Sequence, residues 1–306
     1  ERINILGNNI TRENVIRNQL FVDEGDPFNE ILKNKSINEI KSLNFFKTVD
    51  STVVNGTNNA SKIINITVEE KATGEVSAGA GFGTSGEVLE FGVRENNYLG
   101  KGLAVDTRLS LSTDKISGKF NINNPNYKNS DKSVNFGLQA LSNDKLSDFG
   151  YKSSKYGTSL GTNFEYLEDF NLGVETSVYL EKIETDSTAS TLQKTQDGNY
   201  FDNYMNLSFD YDKRNQKYKT TDGFRSIYDV NLPILSENNT LTNTYSYKIY
   251  SELFDDNISS LSIGLSSATS VTGDDIKLSE RLYIPSRKLR GFESGRIGPK
   301  DGDDYI

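Results

Sequence analysis

Neither cysteine nor histidine occurs in the 306 residues. Their absence removes thiolate chemistry, imidazole acid–base catalysis, Ser-His-Asp triads and Cys/His zinc sites together. With no disulfide framework to read, the redox compartment stays open. Tryptophan is missing too, and only 34% of the residues are hydrophobic. A soluble domain ordinarily carries about 45–50% apolar residues, glycine included. No stretch reaches the roughly 18 consecutive apolar residues of a transmembrane helix. That does not exclude a transmembrane barrel, whose strands never show such runs. Positive charge is in deficit, with a net charge of −9. A dedicated nucleic-acid binder is disfavoured, because neutralising phosphates needs lysine and arginine in excess.

Aromatic residues are plentiful, 16 Tyr and 16 Phe, set among much Ser, Asn and Gly. A disordered chain would be poor in aromatics. The mixture suits thin strands with one apolar and one polar face. Two regions differ in their periodicity. In residues 1–71, Arg2 to Leu6 alternate and Gly7-Asn8-Asn9 breaks the strand. Thr11 is a candidate helix N-cap ahead of Val15, Ile16 and Leu20. Asp26-Pro27 reads as the start of a second helix, whose apolar stripe is Phe28, Ile31, Leu32, Ile37, Ile40 and Leu43. Phe45 to Val54 and the alternating Ile64, Ile66 and Val68 predict two strands. The order is β-α-α-β-β, a small α+β domain.

From Gly74 the helical period disappears. Val76, Ala78, Ala80 and Phe82 alternate with Ser77, Gly79, Gly81 and Gly83. The pattern continues through Leu172, Val174, Val178 and Leu180 to Leu261, Ile263 and Leu265. It gives about eleven segments of roughly ten residues, the length of a tilted membrane-crossing strand. The opposite face carries Asp106, Arg108, Glu165, Glu175, Asp210, Asp212 and Asp229. Alternation alone fits a soluble sandwich as well. Charges lining water and an apolar band meeting lipid favour a closed membrane sheet. An odd strand count, a beginning at Glu1 and an end at Tyr305-Ile306 in loop-like sequence suggest a piece cut at both ends.

Several short motifs invite a functional reading. Gly79, Gly81 and Gly83 lie in strand pattern, so the strand-loop-helix context of a nucleotide loop is missing. Asp301, Asp303 and Asp304 lack the spacing and distal Glu of a calcium loop and read as an exposed acidic turn. Leu289-Arg290-Gly291-Phe292 sits in a polar loop, where an arginine is ordinarily solvated.

Gly7-Asn8, Val15-Ile16-Arg17, Glu24 to Asn29, Leu43 to Val49 and Val68 to Lys71 together resemble a polypeptide-transport-associated (POTRA) domain. Domains of that kind bind extended chains by adding a strand to a sheet edge. Glu69 to Gly74, Gly79-Ala80-Gly81-Phe82, Asn97 to Gly102, Asp210 to Asn215, Thr221-Asp222-Gly223 and Leu289 to Ser294 with Ile297 to Lys300 are similar to the outer-membrane β-barrel assembly factors. Leu289 departs from the valine more usual in that family.

The resemblance implies a POTRA domain over 1–71, then an antiparallel transmembrane β-barrel over 72–306 ending in an inserted loop, 272–306. About eleven of roughly 16 strands would be present. It implies an outer-membrane location with the POTRA domain in the periplasm, no enzymatic activity, no cofactor and no metal. Clients would be unfolded outer-membrane proteins. Partners would be accessory lipoproteins of the assembly complex, periplasmic chaperones and outer-membrane lipid. Val76, Ala78, Gly79, Ala80, Gly81 and Phe82 would form a weak first-strand seam that receives a client strand. Packing of the inserted loop against those small residues explains the glycines equally well. Arg290, freed by Gly291 and flanked by Leu289 and Phe292, would brace the barrel by pairing with wall carboxylates. The rival functions are a translocation-and-assembly or two-partner secretion barrel, a passive porin and, least favoured, an outer-membrane enzyme.

Overall fold

The computed structural model describes residues 2–57, 61–83, 86–146, 150–187, 189–216, 220–237, 239–254, 257–282, 284, 300–301 and 304–305. Leu289, Arg290, Gly291 and Phe292 lie outside the described residues. The chain divides into two compact units. The first comprises residues 1–77, 92–107 and 120–134, and the second 78–91, 108–119 and 135–306.

The first unit begins with the expected β-α-α-β-β order: β1 (Arg2–Leu6), α1 (Glu13–Arg17), α2 (Glu30–Ser42), β2 (Phe46–Asn55) and β3 (Lys62–Glu70). The central β3 pairs parallel with β1 and antiparallel with β2. Ile64, Ile66 and Val68 of β3 point into a core that Ile16, Ile37 and Ile40 close from the helices. Burying each such side chain contributes about 1.5–3 kcal/mol.

Both helix starts differ from the sequence reading. The cap of α1 is Arg12, with no side-chain cap bond. Thr11 is instead buried, committed to partners elsewhere in the unit. The second helix starts at Glu30, where Asn29 Oδ1 accepts from the amides of Ile31 (2.9 Å) and Leu32 (3.1 Å). Asn29 satisfies orphan amides that Asp26 is too far upstream to reach. The stripe splits as a result. Ile37 and Ile40 are buried, whereas Ile31 is 79% exposed.

The second sheet holds the eleven expected strands in sequence order: β4 (Gly74–Gly83), β5 (Gly86–Tyr98), β6 (Leu103–Ser112), β7 (Lys115–Asn124), β8 (Lys132–Lys145), β9 (Tyr151–Leu167), β10 (Phe170–Thr185), β11 (Gly198–Asp212), β12 (Gly223–Ser236), β13 (Thr240–Phe254) and β14 (Asn257–Ser270). Every neighbour is the next strand in the chain, and β4 and β14 are the two edges. A short helix α3 (Thr191–Lys194), held by a Ser190–Gln193 capping box, lies between β10 and β11. A small hairpin, β15 (Lys300–Asp301) and β16 (Asp304–Tyr305), follows. No helix among the described residues is long and apolar enough to cross a membrane.

Strands β8 to β14 run 14 to 17 residues, longer than the expected ten. The surplus is polar sequence at one end, such as Ser142 to Lys145, which continues the ladder where periodicity gives no signal. The two faces separate as expected. Leu160, Val174, Leu180, Leu261 and Leu265 are exposed on one. Glu175, Glu181, Asp202 and Asp210 lie on the other. On the apolar face, Phe170, Tyr211, Phe224 and Tyr247 form a continuous row with ring centroids 5.7 to 6.3 Å apart. Aromatic rows of this kind mark the membrane boundary in transmembrane barrels, and this one fits that role.

Candidate functional site

Three places carry the chemistry that the sequence singled out or passed over. The first is the β4 edge. Within the described sheet β4 pairs only with β5. Val76 and Phe82 are 79% and 88% exposed. A Cβ placed on Gly79 or Gly81 would meet no described neighbour within 4 Å. An edge strand presents unpaired backbone groups, and glycine lowers its hold on its neighbour.

The second place, inside the first unit, joins the end of β3 to the turn between β5 and β6. Glu70 accepts from the backbone amides of Asn9 (2.9 Å), Ile10 (2.9 Å) and Thr11 (2.6 Å). Partial burial pushes the Glu70 carboxyl up, but the Thr11 hydroxyl and these three amides outweigh it and hold its pKa below the usual value. The Thr11 hydroxyl accepts from Asn97 Nδ2 at 2.9 Å, and the Arg12 amide donates to Gly100 O at 2.8 Å. Gly100 takes φ +67°, and a Cβ there would stand 1.9 Å from Ile10 O. Only glycine permits both the left-handed turn and that approach. Glu95 finishes the joint, accepting from the Asn97 amide (2.7 Å) and the Thr73 hydroxyl (2.5 Å). The Asn97-to-Gly102 motif is thus a structural clasp.

The third place is on the charged face of β9, β10 and β11, where the segment after β14 settles. Lys277 has no side-chain exposure. Its Nζ lies 2.5 Å from Asp202 of β11, 3.0 Å from Glu181 of β10 and 3.4 Å from Glu280. Glu280 also accepts from the Tyr204 hydroxyl. Lys155 of β9 reaches Glu181 at 3.9 Å, its ammonium resting 4.5 Å from the centre of the Tyr179 ring. That ring lies across Gly157, where a Cβ would be 2.0 Å away. Leu278 packs with Tyr151 and Ile183, and its amide donates to Gln196 Oε1 at 2.8 Å.

Sequence reasoning missed this third place, because its partners come from strands 75 to 96 residues upstream. The available signal was Ile276-Lys277-Leu278, a lysine between two aliphatics in a polar loop. The Asp210-to-Asn215 motif is also structural. Arg225 grips Asp210 in two bonds of 2.9 and 2.6 Å, Lys213 reaches Asp169 at 2.6 Å, and Arg214 pairs with Asp212 at 2.7 Å.

Comparison with known proteins adds to this geometry. Residues 1–71 match the POTRA family, described as a surface antigen variable number repeat. Residues 97–306, more than half of the chain, match the Omp85 superfamily domain. The chain belongs to the Omp85 superfamily. Relatives of this Omp85 chain include the outer membrane protein assembly factor BamA of Nitratidesulfovibrio vulgaris, 23% identical over 98% of the chain and 38% of the relative. BamA of Neorickettsia risticii is 22% identical over 98% of the chain and 41% of its own length. The chain therefore spans about two fifths of the length of these relatives.

Among solved structures, Haemophilus ducreyi BamA lacking POTRA domains 1–3 superposes with a TM-score of 0.78 at 20% identity, covering 98% of this chain and 61% of that one. CdiB from Acinetobacter baumannii gives 0.56 at 12% identity, with 95% and 56% covered. At these identities the superpositions speak for the fold: a POTRA domain followed by the strand array of an Omp85 barrel. The Omp85 chain is an outer-membrane protein of a Gram-negative envelope, its POTRA domain in the periplasm. In that location the exposed apolar face is expected to meet lipid.

Proposed function

We propose that this protein assembles other β-barrels in the outer membrane. A client arrives unfolded. Its strand pairs first with an exposed sheet edge of the POTRA domain and then with β4. At each stage its backbone groups stay hydrogen-bonded, which hydrocarbon demands. Strand addition needs no cofactor and no catalytic side chain. Val76, Ala78, Gly79, Ala80, Gly81 and Phe82 are the proposed receiving segment.

The observation that carries this reading is the glycine content of β4, where a Cβ on Gly79 or Gly81 would meet no described neighbour within 4 Å. Kinship with factors named for outer-membrane protein assembly supports it. Accessory lipoproteins and periplasmic chaperones belong to the same proposal as partners. The loop motif Leu289, Arg290, Gly291 and Phe292 is proposed to brace the barrel wall, with Arg290 held by carboxylates.

A secretion or translocation barrel is the second reading, because CdiB shares the fold. Reconstitution separates the two. Full-length protein in liposomes is given an unfolded outer-membrane protein. An assembly factor leaves the client folded in the bilayer, heat-modifiable and resistant to protease. A secretion barrel passes its client across and leaves none inserted, and that result would overturn the proposal.

A further inference from the structure

The ion cluster at Lys277 has a composition that packing alone does not explain. Three carboxylates, Glu181, Asp202 and Glu280, face two ammonium groups, Lys277 and Lys155. Glu181 and Asp202 are 1% and 0% exposed. Asp202 Oδ1 and Glu280 Oε2 have no hydrogen-bond partner among the described residues. Glu181 Oε2, though 3.0 Å from Lys277, lies off the hydrogen-bonding angle. Among the described residues, three carboxylates thus share two ammonium groups where water is scarce.

Two of the three carboxylates belong to the wall, on β10 and β11. With the segment in place, losing the Lys277 charge would leave them buried with only Lys155 nearby. Breaking a buried pair by removing one partner is far more costly than never having built it. The wall thus holds a strong preference for a cation delivered by this segment. Leu278 and its amide fix the direction from which that cation arrives, through Ile183, Tyr151 and Gln196.

We infer that Lys277 is a positioning residue, a cationic peg that seats the base of the 272–306 loop against β9, β10 and β11. It stands thirteen positions before Arg290 and uses carboxylates of its own. In the proposed assembly function, this peg keeps the loop inside while the β4 edge changes partner. The inference rests on that reading only for this last role, since the seating is measured without any client.

The test exploits the absence of cysteine from the chain. Leu278→Cys is introduced into the full-length protein, with any thiols elsewhere removed. Labelling by a membrane-impermeant maleimide is followed in liposomes holding the folded barrel, with Thr272→Cys as the exposed reference. With Lys277 intact, Leu278→Cys stays protected. Lys277→Met, which keeps length and loses charge, raises its labelling about tenfold or more, whereas Lys277→Arg restores protection. Equal protection in the Lys277→Met protein overturns the inference.

If that variant fails to fold, hydrogen exchange on the unaltered protein decides. The Leu278 amide, donated to Gln196, exchanges slowly and the Asp274 amide exchanges fast. Uniformly fast exchange across residues 274–280 means the loop root is not seated, and the inference falls. Normal assembly activity with an unseated root would count against the peg alone. A seated root with no assembly activity would count against the functional reading alone.

Discussion

At the scale of single residues, the positions that hold this molecule together are carboxylates used as hydrogen-bond acceptors. Glu70 gathers three consecutive amides from the loop after β1. Hydrogen bonds to a charged acceptor contribute about 1.5–3 kcal/mol. Glu70→Gln keeps the shape and removes the charge. It should accelerate hydrogen exchange at Asn9, Ile10 and Thr11 by about tenfold to a hundredfold, with little change in the core amides of β3. The sign of the pH effect follows from the depressed pKa. The charged form is favoured in the folded state, so the stabilisation is complete above the ordinary Glu value of about 4.3. It is lost as pH falls through the lower folded value. Exchange at these amides, corrected for its intrinsic pH dependence, should therefore show the loop loosening as pH falls below the ordinary Glu range, and Glu70→Gln should abolish that step.

At the scale of elements, strands were readable and helix boundaries were not. Alternation has a period of two, and a sheet with one face in lipid must keep it, so Leu172, Val174, Val178 and Leu180 announce β10 unaided. Helix starts depend on which side chain meets the orphan amides, and Asp26, Asn29 and Thr11 are all competent caps by type. Tertiary demand chose among them: Thr11 went to Glu70 and Asn97. The Lys277 cluster was illegible for a similar reason. Its members lie on three strands and a loop, and no local pattern links them.

The lipid-face assignment carries a quantitative consequence. Val174, exposed on the apolar face of β10 four residues in from the Phe170 row, should tolerate arginine poorly, at a cost of about 2–4 kcal/mol. Asn206→Arg, on the charged face directly opposite Glu175, should cost little because it gains a partner. The fraction of folded protein in liposomes, read by heat-dependent gel mobility under increasing urea, compares the two. Equal sensitivity would mean that the exposed apolar face does not meet lipid.

At the scale of the whole molecule, every described strand of the large sheet pairs with its sequence neighbours, and β4 is the first of them. In β4 two glycines, Gly79 and Gly81, leave open space beside the backbone, and the POTRA domain precedes this strand directly in the chain. An edge that is polar in its backbone and weak in its packing is where a foreign strand exchanges at least cost. Disulfide trapping in the full-length protein tests this most directly. Cysteines are placed one at a time along residues 76–82 and, in parallel, along β8 to β11, against cysteines in the terminal strand of an arriving client. The account predicts cross-links along β4, alternating with the register of strand pairing. Cross-links that form efficiently on β8 to β11 while β4 stays silent would contradict it.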